Sequence, residues 1–400
     1  MEITNTENLQ SEAKAIIFIS ILQAILKGFS VFYFLLLPIL YATNIIRAEQ
    51  LGYVGTLLIA GILIGALAVT YRLHAQRKSH VLFASLAMLF GATILLFWPH
   101  NILLLGTAYM LIGLATGLGV STINALSAQF TKKGKRYTAL AKISMLGDVI
   151  RIIYPLVAGA IYAAIGFVGL VYFALLTVFI FAIFIYVFQR TYNIDAEDKT
   201  ASGNEPVVEA PIRKNKSFWF VIGLEFFDSF ASSQLFVFLP VLLVFKNFSI
   251  ENALIMQSAV FIGYLSGRYL VGLLANRFNG FVAVGLAELG MIVTIILLLI
   301  IPPSNILYVV CFLLGLFSRG TSPVIKALAF DRLEPGQMRR GSAIHVIGGD
   351  SGSAIAQFFF GLLLAWLGVM APFIASAICA AAVALACFSY RESTPEDASI

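Results

Sequence analysis

Residues 202 positions apart match in kind along most of this 400-residue chain. Gly61 and Gly65 answer to Gly263 and Gly267, and Pro38 answers to Pro240. Ala125-Leu126 answers to Ala327-Leu328, and Gly147-Asp148 to Gly349-Asp350. A constant offset through four separate apolar segments does not arise from apolar composition alone. The chain reads as two like halves running in the same direction, so each half must fold into the same set of elements.

Those elements are helices in a membrane. The chain is 60% hydrophobic and 12% charged, with a mean hydropathy of +0.94; soluble chains carry about a quarter charged residues. Crossing ~30 Å of hydrocarbon takes about 20 mostly apolar residues. Twelve windows qualify: 15–42, 51–71, 79–98, 102–130, 137–165, 168–188, 217–245, 252–275, 281–301, 305–330, 341–366 and 370–389. No segment alternates as a barrel strand does. The expected fold is all-α: a six-helix bundle over 1–188, a polar linker over 189–216 and a second bundle over 217–400. Two parallel repeats in a membrane are the organisation of a transporter whose site lies near the bilayer midplane.

Charge sets the orientation. With an inside N-terminus the inner loops hold sixteen basic residues: Arg72, Arg77, Lys78, Lys132, Lys133, Lys135, Arg136, Arg190, Lys199, Arg213, Lys214, Lys216, Arg277, Arg332, Arg339 and Arg340. The outer loops hold Arg47 and Lys246. Basic residues stay on the cytoplasmic side, so both termini and the linker are expected there. The net charge of +6 is explained by that distribution, and no nucleic-acid partner is expected. The start (MEITNTENLQSEAK) is acidic and polar, unlike a positively charged leader with a cleavage site, so a retained first helix is expected; short loops without a targeting leader suggest a bacterial inner membrane, and a monomer is expected.

Motifs exclude several chemistries. Cys311, Cys379 and Cys387 lie in apolar segments without paired spacing and read as small core residues. The histidines His74, His80, His100 and His345 show no metal-ligand spacing. There is no phosphate loop and no nucleophile elbow, so no cofactor is expected. A polytopic membrane enzyme is the reading of another class, favoured if the polar residues gather at one membrane face.

After the eighth window, Gly272-Leu273-Leu274-Ala275-Asn276-Arg277-Phe278-Asn279-Gly280 resembles the Gly-x-Leu-Ala-Asp-Arg-x-Gly loop of the major facilitator superfamily, with Asn276 at the acidic position. The first-half counterpart, Arg72 to Lys78, keeps the basic residues without the acid. Tyr154-Pro155-Leu156-Val157-Ala158-Gly159 partly matches the Gly-Pro element of that family's drug antiporters. The resemblance implies a secondary transporter working by alternating access, with Asn276 and Arg277 in a gating loop.

The charges inside the windows carry the functional reading. Each costs about 2.5–3.5 kcal/mol at the bilayer centre by the mildest scale, so most must pair or line a wet cavity. Asp148 lies ~18 Å past Arg136 along a helix, Asp350 ~15 Å past Arg340, and Lys27 ~20 Å past Lys14. All three fall near mid-membrane. Lys142 and Lys326 lie close enough to the inner face to snorkel.

Glu225 and Asp228 share a helix face. They form either a proton-carrying pair or part of a static ion-pair network. Asp148 pairs with Arg151 on its own helix or reaches Arg268, and Asp350 is placed to pair with Arg319. Glu288 is expected in a structural pair, and His345 as a packed interfacial residue. Lys27, Arg151, Arg319, Phe227 and Asp350 are the candidate substrate contacts, with Phe29, Phe32, Tyr33, Phe34, Phe226 and Phe230 as aromatic candidates. Lys27 stands where drug exporters of the resembled family carry an acid, so an anionic or zwitterionic solute is expected, driven by protons. A multidrug/proton antiporter is the runner-up, supported by the many Phe residues and the acidic pair.

Overall fold

The computed structural model describes residues 2–73, 76–129, 136–192, 215–334 and 337–390. His74, Lys132, Lys133, Lys135, Lys199, Arg213, Lys214, Arg391 and most of the expected linker lie outside the described residues. So do the side chains of Arg136, Lys142, Arg339 and Arg340.

Among the described residues every regular element is helical. The first half contains α1 (Glu2–Ala42), α2 (Ala48–Tyr71), α3 (Lys78–Leu95), α4 (Ile102–Gln129), α5 (Arg136–Ile165) and α6 (Phe167–Thr191). The second contains α7 (Lys216–Ala231), α8 (Gln234–Phe245), α9 (Ile250–Arg277), α10 (Gly280–Ile300), α11 (Ile306–Arg319), α12 (Ser322–Phe330), α13 (Met338–Leu367) and α14 (Ala371–Ser389). These make twelve segments long and apolar enough to cross a membrane. The seventh and tenth spans, expected as single helices, are each broken. α7 gives way to α8 at Ser232-Ser233, and α11 to α12 at Gly320-Thr321.

The breaks have local causes. The Ser232 and Ser233 amides donate to the carbonyls of Asp228 and Phe230. Hydroxyls then stand in for lost helical bonds: Ser233 Oγ donates to the Ser353 carbonyl (3.2 Å) and Ser353 Oγ to the Ser229 carbonyl (3.4 Å). At the second break Pro323, in the first turn of α12, supplies no helical donor and restarts the helix. Irregular backbone at membrane depth is tolerated only where protein or a wet cavity satisfies it.

The repeat is visible in the packing. A Cβ at Gly61 on α2 would meet the Met110 carbonyl oxygen at 2.6 Å and the Leu114 nitrogen at 2.8 Å, both on α4. A Cβ at Gly263 on α9 would meet the Phe312 carbonyl and the Leu316 nitrogen on α11. Each of those residues is displaced by the same 202 positions. The same two backbones therefore touch in each half through the same small residues, and the halves are two parallel six-span repeats.

Contacts divide the chain into two compact units that cut across the second repeat. One comprises Met1–Val207, Leu235–Ser258 and Gln357–Val369; the other comprises Val208–Gln234, Ala259–Ala356 and Met370–Ile400. Within the first unit, a Cβ at Gly52 on α2 would lie 2.6 Å from the Gly361 Cα on α13. Ser258 Oγ on α9 donates to the Ile152 carbonyl on α5 at 2.9 Å, and Phe34 packs on Phe236 at 5.5 Å between ring centroids. Within the second unit α10 packs on α14, α11 and α12, with a core that includes Phe218, Val271, Phe281 and Ile325.

If the glycine seams set helix spacing, Gly61→Leu and Gly263→Leu should each destabilise the purified protein by about 1–3 kcal/mol, as overpacking does. Gly91→Ala, where a Cβ has open space, should be neutral. Thermal melts in detergent read all three.

Candidate functional site

In the first unit the polar residues gather where α1 crosses α5. Lys27 is half-buried, and its side chain lies across Gly147: a Cβ there would stand 2.8 Å from the Lys27 Cδ and 3.5 Å from its Nζ. The next residue, Asp148, is buried and accepts from Arg151 Nη1 at 3.5 Å one turn along α5. One turn before Lys27, the Gln23 amide donates to Asn124 Oδ1 on α4 at 2.9 Å. A cation, its acid and an amide pair thus share one stretch of an otherwise apolar bundle. Aromatic rings border it. Phe32 meets Tyr154 and Phe173 at 6.1 and 5.6 Å. A Cβ at Gly28 would strike Tyr154.

The second unit repeats the crossing with α7 and α13. Here Gly349 is covered by Glu225 and Ser229; a Cβ would stand 2.8 Å from Glu225 Oε1 and 3.2 Å from Ser229 Oγ. Asp350 follows, as Asp148 follows Gly147. Asp228, buried one turn past Glu225, accepts at Oδ1 from Thr321 Oγ1 at 2.7 Å. Thr321 sits in the break between α11 and α12, so that bond ties Asp228 to irregular backbone. The Arg319 charge, two residues before, acts on Glu225, Asp228 and Asp350 together.

The structure thus brings together Lys27, Asp148 and Arg151 in one unit, and Glu225, Asp228, Arg319 and Asp350 in the other. Arg268, expected as a gate for Asp148, lies 4.3 Å over the ring of Tyr264 on its own helix and donates to the Tyr264 hydroxyl. Asn276 and Arg277 are exposed, with Arg277 over the Phe278 ring at 5.7 Å. Arg268 and Asn276 help line a cavity of about 480 Å³ that Asp331 also borders. Asn279, in the same loop, caps α10 by accepting from the Phe281 amide at 2.9 Å. Phe227 is 49% exposed, whereas Phe29, Phe32 and Tyr33 are core residues. Lys326 is exposed; His345 is buried, its ring 6.3 Å from Phe330.

One residue of the cluster, Thr321, escaped the sequence reading, and one, Glu288, met another acid. Thr321 had a signal in Gly320-Thr321-Ser322-Pro323, a helix-breaking run inside an apolar window. Glu288, expected in a structural pair, is fully buried and faces the carboxyl of Asp228. Among the described residues no group of His, Cys, Asp and Glu has the arrangement to hold a metal ion.

Twelve spans, a parallel repeat and charges gathered within the spans define a polytopic membrane transporter, not an enzyme. The family model for the Major Facilitator Superfamily matches residues 17–304 and 255–399, and the chain belongs to that family. It is 26% identical over 345 residues to the gentisate transporter of Corynebacterium glutamicum, covering 82% of this chain and 76% of that one. Its fold is similar to the nucleoside transporter NupG, with a TM-score of 0.76 at 12% identity over 94% of this chain and 100% of that one. It also resembles a bacterial homologue of the human lysosomal transporter Spinster in an inward-facing, occupied conformation. There the TM-score is 0.73 at 14% identity, covering 94% and 96% of the two chains.

Thr321→Val keeps the shape of the side chain and removes the hydroxyl that Asp228 accepts from. Thermal stability should fall by about 1–3 kcal/mol, the cost of stranding a buried acceptor. Thr321→Ser should recover most of it.

Proposed function

We propose that this chain moves a small organic anion or zwitterion, an aromatic carboxylate in the first instance, by proton-coupled alternating access across a bacterial inner membrane. The observation that carries the proposal is Lys27, a half-buried cation ~20 Å into the first span that lies over Gly147. A cation at that depth must pair or line a wet cavity, and a solute carboxylate is a natural complement for one that lines a cavity. The partly exposed ring of Phe173, packed on the buried rings of Phe32 and Tyr154, suits a planar apolar body. The relative named for gentisate, a hydroxylated aromatic carboxylate, supports the same class. Arg151, Arg319, Asp350 and Phe227 are the further residues assigned to the solute path, with Asn276, Arg277 and the Asp148 and Arg268 pairs assigned to gating.

Glu225 and Asp228 are the proposed coupling carboxyls. They lie a turn apart on α7, both buried, within the field of one arginine. Adding a proton there changes the charge balance with Arg319, which is what linking solute movement to a proton gradient requires. Cytoplasmic termini follow from the basic loops. A drug antiporter would draw on the same carboxyls, and the ligand screen separates the two.

A panel of hydroxybenzoates, aliphatic carboxylates, zwitterions and lipophilic cations should be tested by thermal stabilisation of the purified protein. Aromatic carboxylates should raise the melting temperature, by up to about 2.7 kcal/mol of stability at a hundredfold excess over Kd. Lys27→Ala should weaken that binding at least tenfold, about 1.4 kcal/mol, and Lys27→Arg should weaken it less. Stabilisation by several unrelated cations and by no anion overturns the reading.

Coupling is tested in proteoliposomes with the anion that stabilises best. Glu225→Gln and Asp228→Asn should each lose accumulation driven by an imposed proton gradient while retaining solute exchange. Gradient-driven accumulation intact in both variants removes the pair from coupling.

A further inference from the structure

The repeat provides an internal control for the acid cluster of the second unit. Asp228, Thr321 and Glu288 stand 202 positions beyond Leu26, Gly119 and Leu86. In the first unit that junction is built without a charge: a Cβ at Gly119 would touch Leu26 Cδ1 at 2.5 Å and Ser85 Oγ at 3.0 Å, and Leu26 is fully buried. The fold therefore does not require acids at this place. Where the first half buries Leu26 and leaves Leu86 partly exposed, the second half buries two carboxyls, and burying an ionised carboxylate is among the costliest things a chain can do.

The two carboxyls are not equivalent. Asp228 has the Thr321 hydroxyl on Oδ1 and the Arg319 charge nearby; its Oδ2 has no donor among the described residues. Glu288 lies ~12 Å into α10, fully buried, with no donor to either oxygen among the described residues. The groups that act on it are the Asp228 carboxyl from α7 and the Cys379 thiol from α14. Cys387, also on α14, lies near both acids. Arg319 acts on Asp228 as well, and Asp228, Arg319 and Asp350 act on Glu225. Two ionised carboxyls have no hydrogen to share, so a contact between Glu288 and Asp228 is favourable only with a proton in it.

We infer that Glu288 is a proton-holding site: its carboxyl is protonated and donates to the open Oδ2 of Asp228, whose charge Thr321 and Arg319 support. In proton-coupled transport this makes Glu288 a positioning residue that keeps Asp228 ready to exchange a proton. That role rests on the coupling proposed for Asp228, but the shared proton does not.

The test is infrared spectroscopy of the full-length protein in lipid nanodiscs, with the carboxyl carbons of Asp and Glu isotopically labelled to identify the protonated-carboxyl stretch. At neutral pH the wild type should show such a band. Glu288→Gln should lose that component, because the new amide supplies the hydrogen without a titratable proton. Glu288→Leu, which copies the first half, should lose it too and fold at least as stably. Asp228→Asn should keep the band but shift its frequency, since the acceptor has changed. A wild type without the band, or a band unchanged in both Glu288 variants, overturns the inference. A band that behaves as expected in a protein whose transport ignores the proton gradient upholds the shared proton and refutes the coupling.

Discussion

The close approach of backbones along the glycine seams is the constraint on which the rest of this molecule depends. In water, helices meet because apolar faces avoid solvent; in lipid that drive is absent, and contact must come from packing and hydrogen bonds. Gly61 against Met110 and Leu114, and Gly263 against Phe312 and Leu316, hold α2 to α4 and α9 to α11 at a distance no side chain would allow. The same device operates at the α1–α5 and α7–α13 crossings. There Gly147 and Gly349 leave room not for a second backbone but for a polar side chain lying flat. Small residues thus do two jobs: they fix the bundles, and they make the slots in which charge can sit inside hydrocarbon.

The slots are alike and their contents differ. Lys27 fills the first, and Glu225 with Ser229 fills the second, though both slots precede an aspartate. A duplicated scaffold has been loaded with a cation on one side and carboxyls on the other. The two broken spans belong only to the loaded second half, where Thr321 and the Ser232-Ser233 step bring non-helical backbone beside Asp228. Breaking a helix within a membrane frees polar groups that must be re-satisfied. Here serine and threonine hydroxyls do so and, in the case of Thr321, steady an acid as well.

Much of this was legible in the chain. The 202-residue offset, read from Gly61, Pro38 and Gly147, reappears as equivalent atomic contacts because duplicated helices must pack through duplicated small faces. Lys27, Asp148, Glu225 and Asp350 stood out because a charge in an apolar window is expensive wherever it ends up. What stayed hidden was partnership across helices. Spacing within one helix places Glu225 beside Asp228 and Asp148 beside Arg151, but nothing in α10 says that Glu288 meets another acid. A structural pair was expected, and paired opposite charges are the usual way to bury either one. The helix breaks were missed for a different reason: an apolar window measures length, and Ser-Ser or Gly-Thr-Ser-Pro changes the backbone without lowering hydropathy enough to interrupt it.

The comparison between halves also says where selection for stability stops. Leu26 against Gly119 shows that the first half makes the corresponding contact between its first and fourth spans without an acid, with Ser85 from the third span beside it. A chain shaped only by folding would place the same residues at 228, 321 and 288, because replacing buried ionic groups with hydrophobic ones of similar volume is often neutral or stabilising. Under the proposed coupling, these acids are the groups that change charge during the transport cycle. Their asymmetry, with donors gathered on Asp228 and none on Glu288 among the described residues, is what a proton needs in order to have one preferred place to reside.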